Sequence, residues 1–186
     1  FKIISSSQNT LAFNELKFIF GKQTIYYKLK LKPFDLPNYY FRFIIWMVKA
    51  VVNFFLYFRN AFKGIDKKHS FFIVHGDTVS SLIGALVAKI NGIRLVHIES
   101  GLRSFNFLEP FPEEFCRFIV SKLANIHFCP NSWAVNNLRK TGGVKINTQN
   151  NTLIETVSIT LKNTKKLEFK PVQKRKYFVL VLHRQE

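Results

Sequence analysis

The chain has 186 residues, of which 47% are hydrophobic, and this is enough for one domain with a substantial core and the start of another. The composition excludes a disordered tail. The formal net charge is +17, and its basic residues are spread along the chain rather than concentrated on one helix, so nucleic-acid binding is not expected. A surface of this sign would attract phosphate-bearing substrates and anionic membranes.

The two cysteines indicate the cellular compartment, and the chain ends indicate whether the sequence is complete. Cys116 and Cys129 form no CxxC pair, which predicts buried reduced thiols in a cytoplasmic protein and argues against a disulfide framework. No signal peptide is present, although a lost N-terminus could have carried one. Because the chain begins at Phe1 without a methionine and stops at Glu186 directly after an apolar strand, we expect both ends to be truncated.

Residues 1–70 are the least informative part of the sequence. The aromatic run Phe43–Phe58 covers sixteen residues, fewer than the roughly 20 that a bilayer-spanning helix needs. A packed helix is therefore predicted, and the 39–59 stretch leaves peripheral membrane contact open. The predicted core face of that helix consists of Ile44, Ile45, Val48, Val52 and Phe55.

From residue 70 onward, short apolar strands alternate with amphipathic helices. Pro112 opens one of these helices, with Glu113 and Glu114 in its first turn. This alternation predicts right-handed βαβ units and a Rossmann-like doubly wound parallel sheet of the α/β class. The predicted elements are strand 71–74, helix 79–90, strand 93–98, helix from 112, strand 126–129, helix 132–140, strand 144–147, helix 153–161 and strand 177–182.

Ligands of open parallel sheets bind outside the carboxyl ends of the strands, so the residues that follow each strand are the candidate site. These residues share a polar character that suits a phosphate-bearing ligand. The segments are His75-Gly76-Asp77-Thr78, Glu99-Ser100-Gly101-Leu102-Arg103-Ser104, Pro130-Asn131-Ser132, Gln149-Asn150-Asn151-Thr152 and His183-Arg184-Gln185-Glu186.

Asp77 and Glu99 in these segments, and Glu113 in the helix after Pro112, could each have a role in the site or a purely structural role. Asp77 is either a site residue or the cap of the following helix, a place that Thr78 could also take. Glu99 directly follows an apolar strand, where burial could raise the pKa of its carboxyl into the range of an acid or base, or it forms a salt bridge with Arg103. Glu113 could pair with Arg117, four residues further along the same helix.

The histidines divide in the same way. His97 and His127 lie inside strands, where hydrogen-bonded core residues are more common than ligands, whereas His183 stands at the carboxyl end of its strand. The pairs His75-x-Asp77 and His97-x-Glu99 could suggest a metal, but alternate strand residues point to opposite faces, so no metal site is predicted.

Six motifs in this order resemble the non-hydrolysing UDP-N-acetylglucosamine 2-epimerase family. The family's opening glycine-arginine-proline loop is absent, and residues 1–70 do not match clearly. The motifs are His75-Gly76-Asp77-Thr78, His97-Ile98-Glu99-Ser100-Gly101-Leu102-Arg103-Ser104, Phe111-Pro112-Glu113-Glu114 with Arg117, His127-Phe128-Cys129-Pro130, Asn151-Thr152-Leu153-Ile154-Glu155 and His183-Arg184-Gln185-Glu186.

The resemblance implies two Rossmann-like domains of the GT-B type with substrate in the cleft between them. Residues 1–148 would belong to the N-terminal domain, and 149–186 would begin the C-terminal one. It further implies a cytoplasmic homodimer when full length, supplying precursors of surface polysaccharide.

The reaction implied by the resemblance interconverts UDP-GlcNAc and UDP-ManNAc, without metal, nicotinamide or other cofactor, by eliminating UDP to a glycal and adding it back. The catalytic residues would be Asp77, Glu99, Glu113 and His183, and which carboxylate removes the C2 proton is open. Substrate-binding roles would fall to His75, Thr78, Arg103, Arg117, Arg184 and Glu186.

Three departures from the family pattern concern Ser100, where alanine is usual, Ser104, where threonine is common, and Asn150, where glycine is usual. Asn tolerates left-handed backbone angles better than most residues. The Gly-Asp-Thr and Glu-Ser-Gly-Leu-Arg segments favour the non-hydrolysing branch. A hydrolysing epimerase, a GT-B glycosyltransferase and a basic membrane- or nucleic-acid-binding module are the alternatives.

Overall fold

In a computed structural model of the chain, the residues described are 2–5, 25–28, 45, 48–54, 56 and 62–163. The chain divides into two compact units, Phe1–Thr152 and Leu153–Glu186. The predicted strand over 177–182 and the site residues His183, Arg184 and Glu186 lie outside the described residues. The assignment of residues 1–148 and 149–186 to two Rossmann-like domains stays a prediction.

A four-stranded parallel sheet forms the centre of the first unit, and its strands are neighbours in chain order. The register pairs Phe71 with Arg94, His97 with His127, and Ile126 with Val144. The predicted parallel α/β fold is therefore confirmed. The strands of this sheet are β3 (Phe71–His75), β4 (Arg94–Ile98), β5 (Ile126–Cys129) and β6 (Val144–Asn147).

Helices connect the strands and follow the last one. A separate two-stranded parallel sheet pairs β1 (Lys2–Ser5) with β2 (Ile25–Lys28), in the part of the sequence where no strands were predicted. The helices after residue 70 are α1 (Val79–Ile90), α2 (Glu113–Leu123), α3 (Ser132–Asn137) and α4 (Thr152–Asn163).

The main core lies between β3, β4, α1 and α2, because the apolar faces of these elements can be buried only against one another. Leu82 and Leu95 are 0% and 2% exposed, and each contributes roughly 1.5–3 kcal/mol to folding by burial. This packing fixes the strand ends from which the site residues project. The buried members are Val74, Leu82, Ala85, Ala88, Leu95, Cys116, Val120 and Ala124.

Residues 48–54 are helical, as predicted for the aromatic run, but the predicted core face is wrong. Ala50 and Phe54 are buried against Ile83 and Val87 of α1. Because the run is apolar on most sides, its periodicity does not select a face, and contact with α1 decides it. Among the described residues, the helices fall short of the length and hydropathy needed to cross a membrane. The predicted core residues Ile45, Val48 and Val52 are exposed. The other two, Ile44 and Phe55, lie outside the described residues.

The helix ends agree with the predictions to within two residues except at α3. Asn91 is the C-cap of α1, and Gly92 follows it with a φ of 67°, the left-handed conformation predicted for the residue that ends this helix. Helix α3 ends at Asn137, three residues before the predicted 140. The amides of Leu138 and Arg139 bond to carbonyls three residues back, which tightens the chain into turns instead of continuing the helix.

Candidate active site

The loops at the carboxyl edge of the sheet are tied to the neighbouring strands by backbone hydrogen bonds. The amide of Gly76 donates to the carbonyl of Ile98 at 3.0 Å. The amide of Ser100 donates in the same way to the carbonyl of Phe128 at 2.9 Å. The backbone pairing thus continues one residue beyond β3 and two residues beyond β4, which holds Asp77 and Glu99 close to rigid backbone.

The turn after β3 separates a capping residue from a site residue. Gly76 has a φ of 67°, a conformation that a side chain would disfavour. Thr78 is the N-cap of α1, since its hydroxyl accepts a hydrogen bond from the amide of Ser81 at 3.3 Å. Asp77 is therefore not needed as the cap. Its Oδ2 accepts hydrogen bonds from Nε and Nη2 of Arg117 at 2.9 and 2.5 Å.

Glu99 occupies an unusual backbone position at the end of β4. Its φ is 65°, a left-handed conformation that costs a non-glycine residue about 1 kcal/mol or more. Its side chain is 22% exposed, and Oε2 lies 3.6 Å from Nε2 of His75. That histidine also lies 3.1 Å from the hydroxyl of Thr152. The alternative salt bridge to Arg103 is not the arrangement adopted, because Arg103 binds Glu114.

Glu114 is the residue that sequence reasoning missed. Its carboxylate is fully buried and accepts hydrogen bonds from Nε of Arg103 at 2.5 Å and from the amide of Ser104 at 3.0 Å. Burial acts to raise the pKa of Glu114, but the Ser104 amide and the Arg103 guanidinium outweigh it and hold the pKa below its ordinary value. The available signal was a glutamate three residues before Arg117 on α2.

Cys116 is a buried thiol on α2, three residues after Glu113. The pKa of this thiol is raised to about 12, mainly by burial and to a lesser extent by the negative charges of Glu113 and Asp77. Both carboxylates therefore lie near this thiol. Cys116 and Cys129 are free and buried, as predicted.

His97 and His127 are buried side by side beneath this edge, as predicted for core histidines. Nε2 of His97 lies 2.8 Å from the carbonyl of Gly76, and Nε2 of His127 lies 3.1 Å from that of Gly142. A carbonyl only accepts, so each Nε2 carries a proton. Burial is the main cause that lowers both pKa values, that of His97 to about 4.

The Nδ1 atoms of the two histidines differ. Nδ1 of His127 accepts a hydrogen bond from the buried hydroxyl of Ser100 at 2.9 Å. Nδ1 of His97 has no hydrogen-bond partner among the described residues. Ser100, which departs from the family pattern, thus satisfies a buried nitrogen that would otherwise be left in an apolar setting.

Gly101 allows the loop after β4 to meet α3. Its φ is 89°, and a Cβ at this position would lie 2.3 Å from the carbonyl oxygen of Ala134. The carbonyl of Gly101 accepts a hydrogen bond from Asn137 at 2.9 Å. In the later turn the left-handed residue is Gln149, with a φ of 65°, and not Asn150 as the family pattern suggested.

The structure thus brings together Asp77, Arg117 and Glu114 in one group and His75, Glu99 and Thr152 in another. Within the described part of the chain, no group of three or more His, Cys, Asp or Glu side chains is arranged to hold a metal ion. The geometry provides half-buried carboxylates for proton transfer at the carboxyl edge of a parallel sheet.

The comparison with known sequences identifies close relatives. The family model described as UDP-N-acetylglucosamine 2-epimerase matches residues 60–186. A UDP-N-acetylglucosamine 2-epimerase of Methanococcus maripaludis is 39% identical over 130 residues, which cover 66% of this chain and 35% of the relative. The enzyme of the same name from Campylobacter jejuni is 37% identical over 136 residues, covering 65% and 36%. The chain spans about a third of the length of these relatives.

One relative carries a different name. A UDP-2,3-diacetamido-2,3-dideoxy-D-glucuronate 2-epimerase of Pseudomonas aeruginosa is 44% identical over 70 residues, which cover 38% of this chain and 19% of the relative.

Solved structures of such enzymes share the fold. A UDP-GlcNAc 2-epimerase from Neisseria meningitidis, bound to UDP-GlcNAc, matches with a TM-score of 0.66 at 25% identity. The match covers 87% of this chain and 41% of the Neisseria chain. The Methanocaldococcus jannaschii enzyme in complex with UDP-GlcNAc and UDP has a TM-score of 0.60 at 26% identity, covering 76% and 36%. With its family model matched over more than half of its length, this chain belongs to the UDP-N-acetylglucosamine 2-epimerase family.

Proposed function

We propose that the full-length protein interconverts UDP-GlcNAc and UDP-ManNAc without hydrolysis. The proposal is supported by family membership and by the names of the relatives. The single observation that carries it is the placement of Asp77 and Glu99. These carboxylates follow neighbouring parallel strands and are 29% and 22% exposed, so solvent and substrate can reach them while the backbone is held.

The chemistry requires two proton transfers. A base removes the C2 proton as the C1–O bond to UDP breaks, which leaves a C1–C2 double bond and free UDP in the site. The reverse step adds UDP to C1 and a proton to the other face of C2. An acid and a base on opposite sides of the sugar are therefore needed. We assign these roles to the carboxylates Asp77, Glu99 and Glu113.

The departing diphosphate needs hydrogen-bonding or cationic support. We assign contact with it to His183, supported by Arg184 and Glu186, by the family resemblance alone. His75 lies beside Glu99, and Thr78 follows Asp77 in the chain. Both are assigned to substrate binding on the same basis. Arg103 and Arg117 carry the same assignment, and each forms an ion pair with a carboxylate of this chain.

Product analysis separates the proposed reaction from its alternatives. Full-length protein incubated with UDP-GlcNAc is expected to form UDP-ManNAc with the UDP retained, as followed by ion-exchange chromatography and NMR. Free ManNAc with UDP would indicate a hydrolysing epimerase, and transfer of the sugar to an acceptor would indicate a glycosyltransferase. Either result overturns the proposal.

The Pseudomonas relative raises a second candidate substrate. Its name specifies a UDP-sugar with an acetamido group at C3 and a carboxylate at C6, and the reacting C2 is the same. We assign UDP-GlcNAc as the substrate because the relatives matched over more of this chain carry that name. A higher kcat/KM for UDP-2,3-diacetamido-2,3-dideoxy-D-glucuronate than for UDP-GlcNAc would reverse this choice. Homodimer formation and peripheral membrane contact through 39–59 stay predictions.

A further inference from the structure

Glu114 is a fully buried carboxylate that has no role in the proposed reaction, and it lies between Arg103 and Arg117. One carboxylate oxygen binds Nε of Arg103 at 2.5 Å, and the other accepts the amide of Ser104 and lies 3.6 Å from Nη1 of Arg117. The side chain is 0% exposed. Burying a carboxylate is costly unless it is paired, so this position is maintained by its two arginine partners.

The two arginines differ in their surroundings. The guanidinium of Arg103 lies 5.4 Å from the ring centre of Phe105 and 5.5 Å from that of Phe118, and its side chain is 12% exposed. These contacts hold it in place. Arg117 is 22% exposed, and its other edge faces Asp77. Glu114 therefore connects an anchored arginine to one that reaches the candidate site.

Arg117 contacts Asp77 through one oxygen only. Its Nε and Nη2 both donate to Oδ2, at 2.9 and 2.5 Å, and Oδ1 is the oxygen that this arginine does not engage. With Nη1 facing Glu114 and the opposite edge facing Asp77, the guanidinium plane is fixed from two sides. The orientation of the Asp77 carboxylate follows from that plane.

We propose that Glu114 is a positioning residue that acts through Arg117 to orient Asp77 for proton transfer. The proposal rests on the proposed function, in which Asp77 is an acid or base. A neutral side chain at residue 114 would leave Nη1 of Arg117 without its anion, so the guanidinium would sample other orientations. Proton transfer is sensitive to misplacement of this kind, whereas binding of the rest of the substrate is much less so.

A double-mutant cycle on kcat tests the proposal in the full-length protein. With UDP-GlcNAc as substrate, Glu114→Gln is expected to lower kcat by about 10- to 100-fold and to change KM by less than about threefold. In an Arg117→Ala background, the same substitution should lower kcat by less than about twofold, because the residue through which it acts is gone. A structural role alone would give the same factor in both backgrounds, and that result would overturn the proposal.

Glu114→Asp covers the case in which the glutamine variant does not fold. It keeps the charge and the partnership with Arg103, but its shorter side chain withdraws from Arg117. Kcat is expected to fall in the wild-type background and to change by less than about twofold beside Arg117→Ala. Equal losses in both backgrounds, or no loss in either, would refute the proposal.

Asp66→Asn is the matched control, because this exposed carboxylate pairs with His69 before β3, at the opposite edge of the sheet. It should leave kcat unchanged, and an equal loss in this variant would count against the proposal. A wild-type protein that forms no UDP-ManNAc would refute the proposed function. An active wild type with an additive cycle would refute the positioning role alone.

Discussion

The carboxyl edge of the sheet and the layer directly beneath it are built from different kinds of polar group. At the edge, Asp77 and Glu99 are partly exposed carboxylates, and Glu99 holds a left-handed backbone angle. Beneath it, His97 and His127 are buried and neutral, and each donates to a backbone carbonyl. Substitutions at the edge should therefore change turnover, and substitutions beneath it should change stability.

The largest expected effect is on turnover at the edge. In the full-length protein, Asp77→Asn, Glu99→Gln and Glu113→Gln should each lower kcat about 10³-fold, because each removes a group assigned to proton transfer. The free energy of unfolding should change by less than about 1 kcal/mol for the half-buried Glu99. Steady-state kinetics with urea unfolding measures both quantities. Glu155→Gln, an exposed carboxylate on α4, is the control. Near-normal turnover of Glu113→Gln would remove that residue from the catalytic set.

The next largest effect is a loss of stability at acid pH, caused by the buried histidines His97 and His127. The pKa of His97 is about 4 in the folded protein, below the 6.5 of the free side chain. Between these values the unfolded chain binds the extra proton, so stability is present above pH 6.5 and falls as the pH drops toward 4. The lowered pKa of His127 acts in the same direction.

Between pH 7 and pH 5, His97 should lower the free energy of unfolding by about 2 kcal/mol. Urea unfolding at pH 7 and pH 5 measures it. His97→Gln, which keeps an N–H donor but does not titrate, should reduce the difference between the two pH values. An unchanged difference would show that His97 is not buried in its neutral form.

A smaller effect is expected at Ser100. Its hydroxyl donates to the buried Nδ1 of His127, so Ser100→Ala should lower the free energy of unfolding by about 1–3 kcal/mol. Ser132→Ala, which alters an exposed hydroxyl bonded to Asn147, should change it by less than about 0.5 kcal/mol. Equal stability of Ser100→Ala and the wild type in urea would contradict the described hydrogen bond.

The smallest effect tests whether Thr78, and not Asp77, is the N-cap of α1. Thr78→Ala should lower the free energy of unfolding by about 1 kcal/mol, because the amide of Ser81 loses its side-chain acceptor. Thr78→Ser keeps the acceptor and should restore most of the loss. If Thr78→Ala were neutral while Asp77→Ala destabilised the helix, the cap would be Asp77.

The order of strands and helices after residue 70 could be predicted because it depends on local periodicity. The same holds for the carboxyl edge, since parallel strands bring their carboxyl ends to one side whatever their side chains. The choice between Asp77 and Thr78 as the cap needed the structure. Both residues can cap a helix, and the decision comes from Arg117, forty residues away in sequence.

Glu114 and the face of helix 48–54 were missed for a related reason. Glu113 stands out in the sequence because of its spacing from Arg117, while the burial of Glu114 depends on Arg103 in the preceding loop. The apolar run has too little contrast between its sides to indicate that Ala50 and Phe54 face α1. Long-range contacts of this kind leave no periodic signal in the sequence.

We propose above that carboxylates at the carboxyl edge of the sheet exchange a proton with C2 of a UDP-sugar. Full-length protein incubated with UDP-GlcNAc in D₂O tests it most directly, with the products followed by NMR. We expect UDP-ManNAc carrying deuterium at C2, and loss of this exchange in Asp77→Asn and Glu99→Gln. UDP-ManNAc formed with its original C2 proton, or full exchange in both variants, would contradict it.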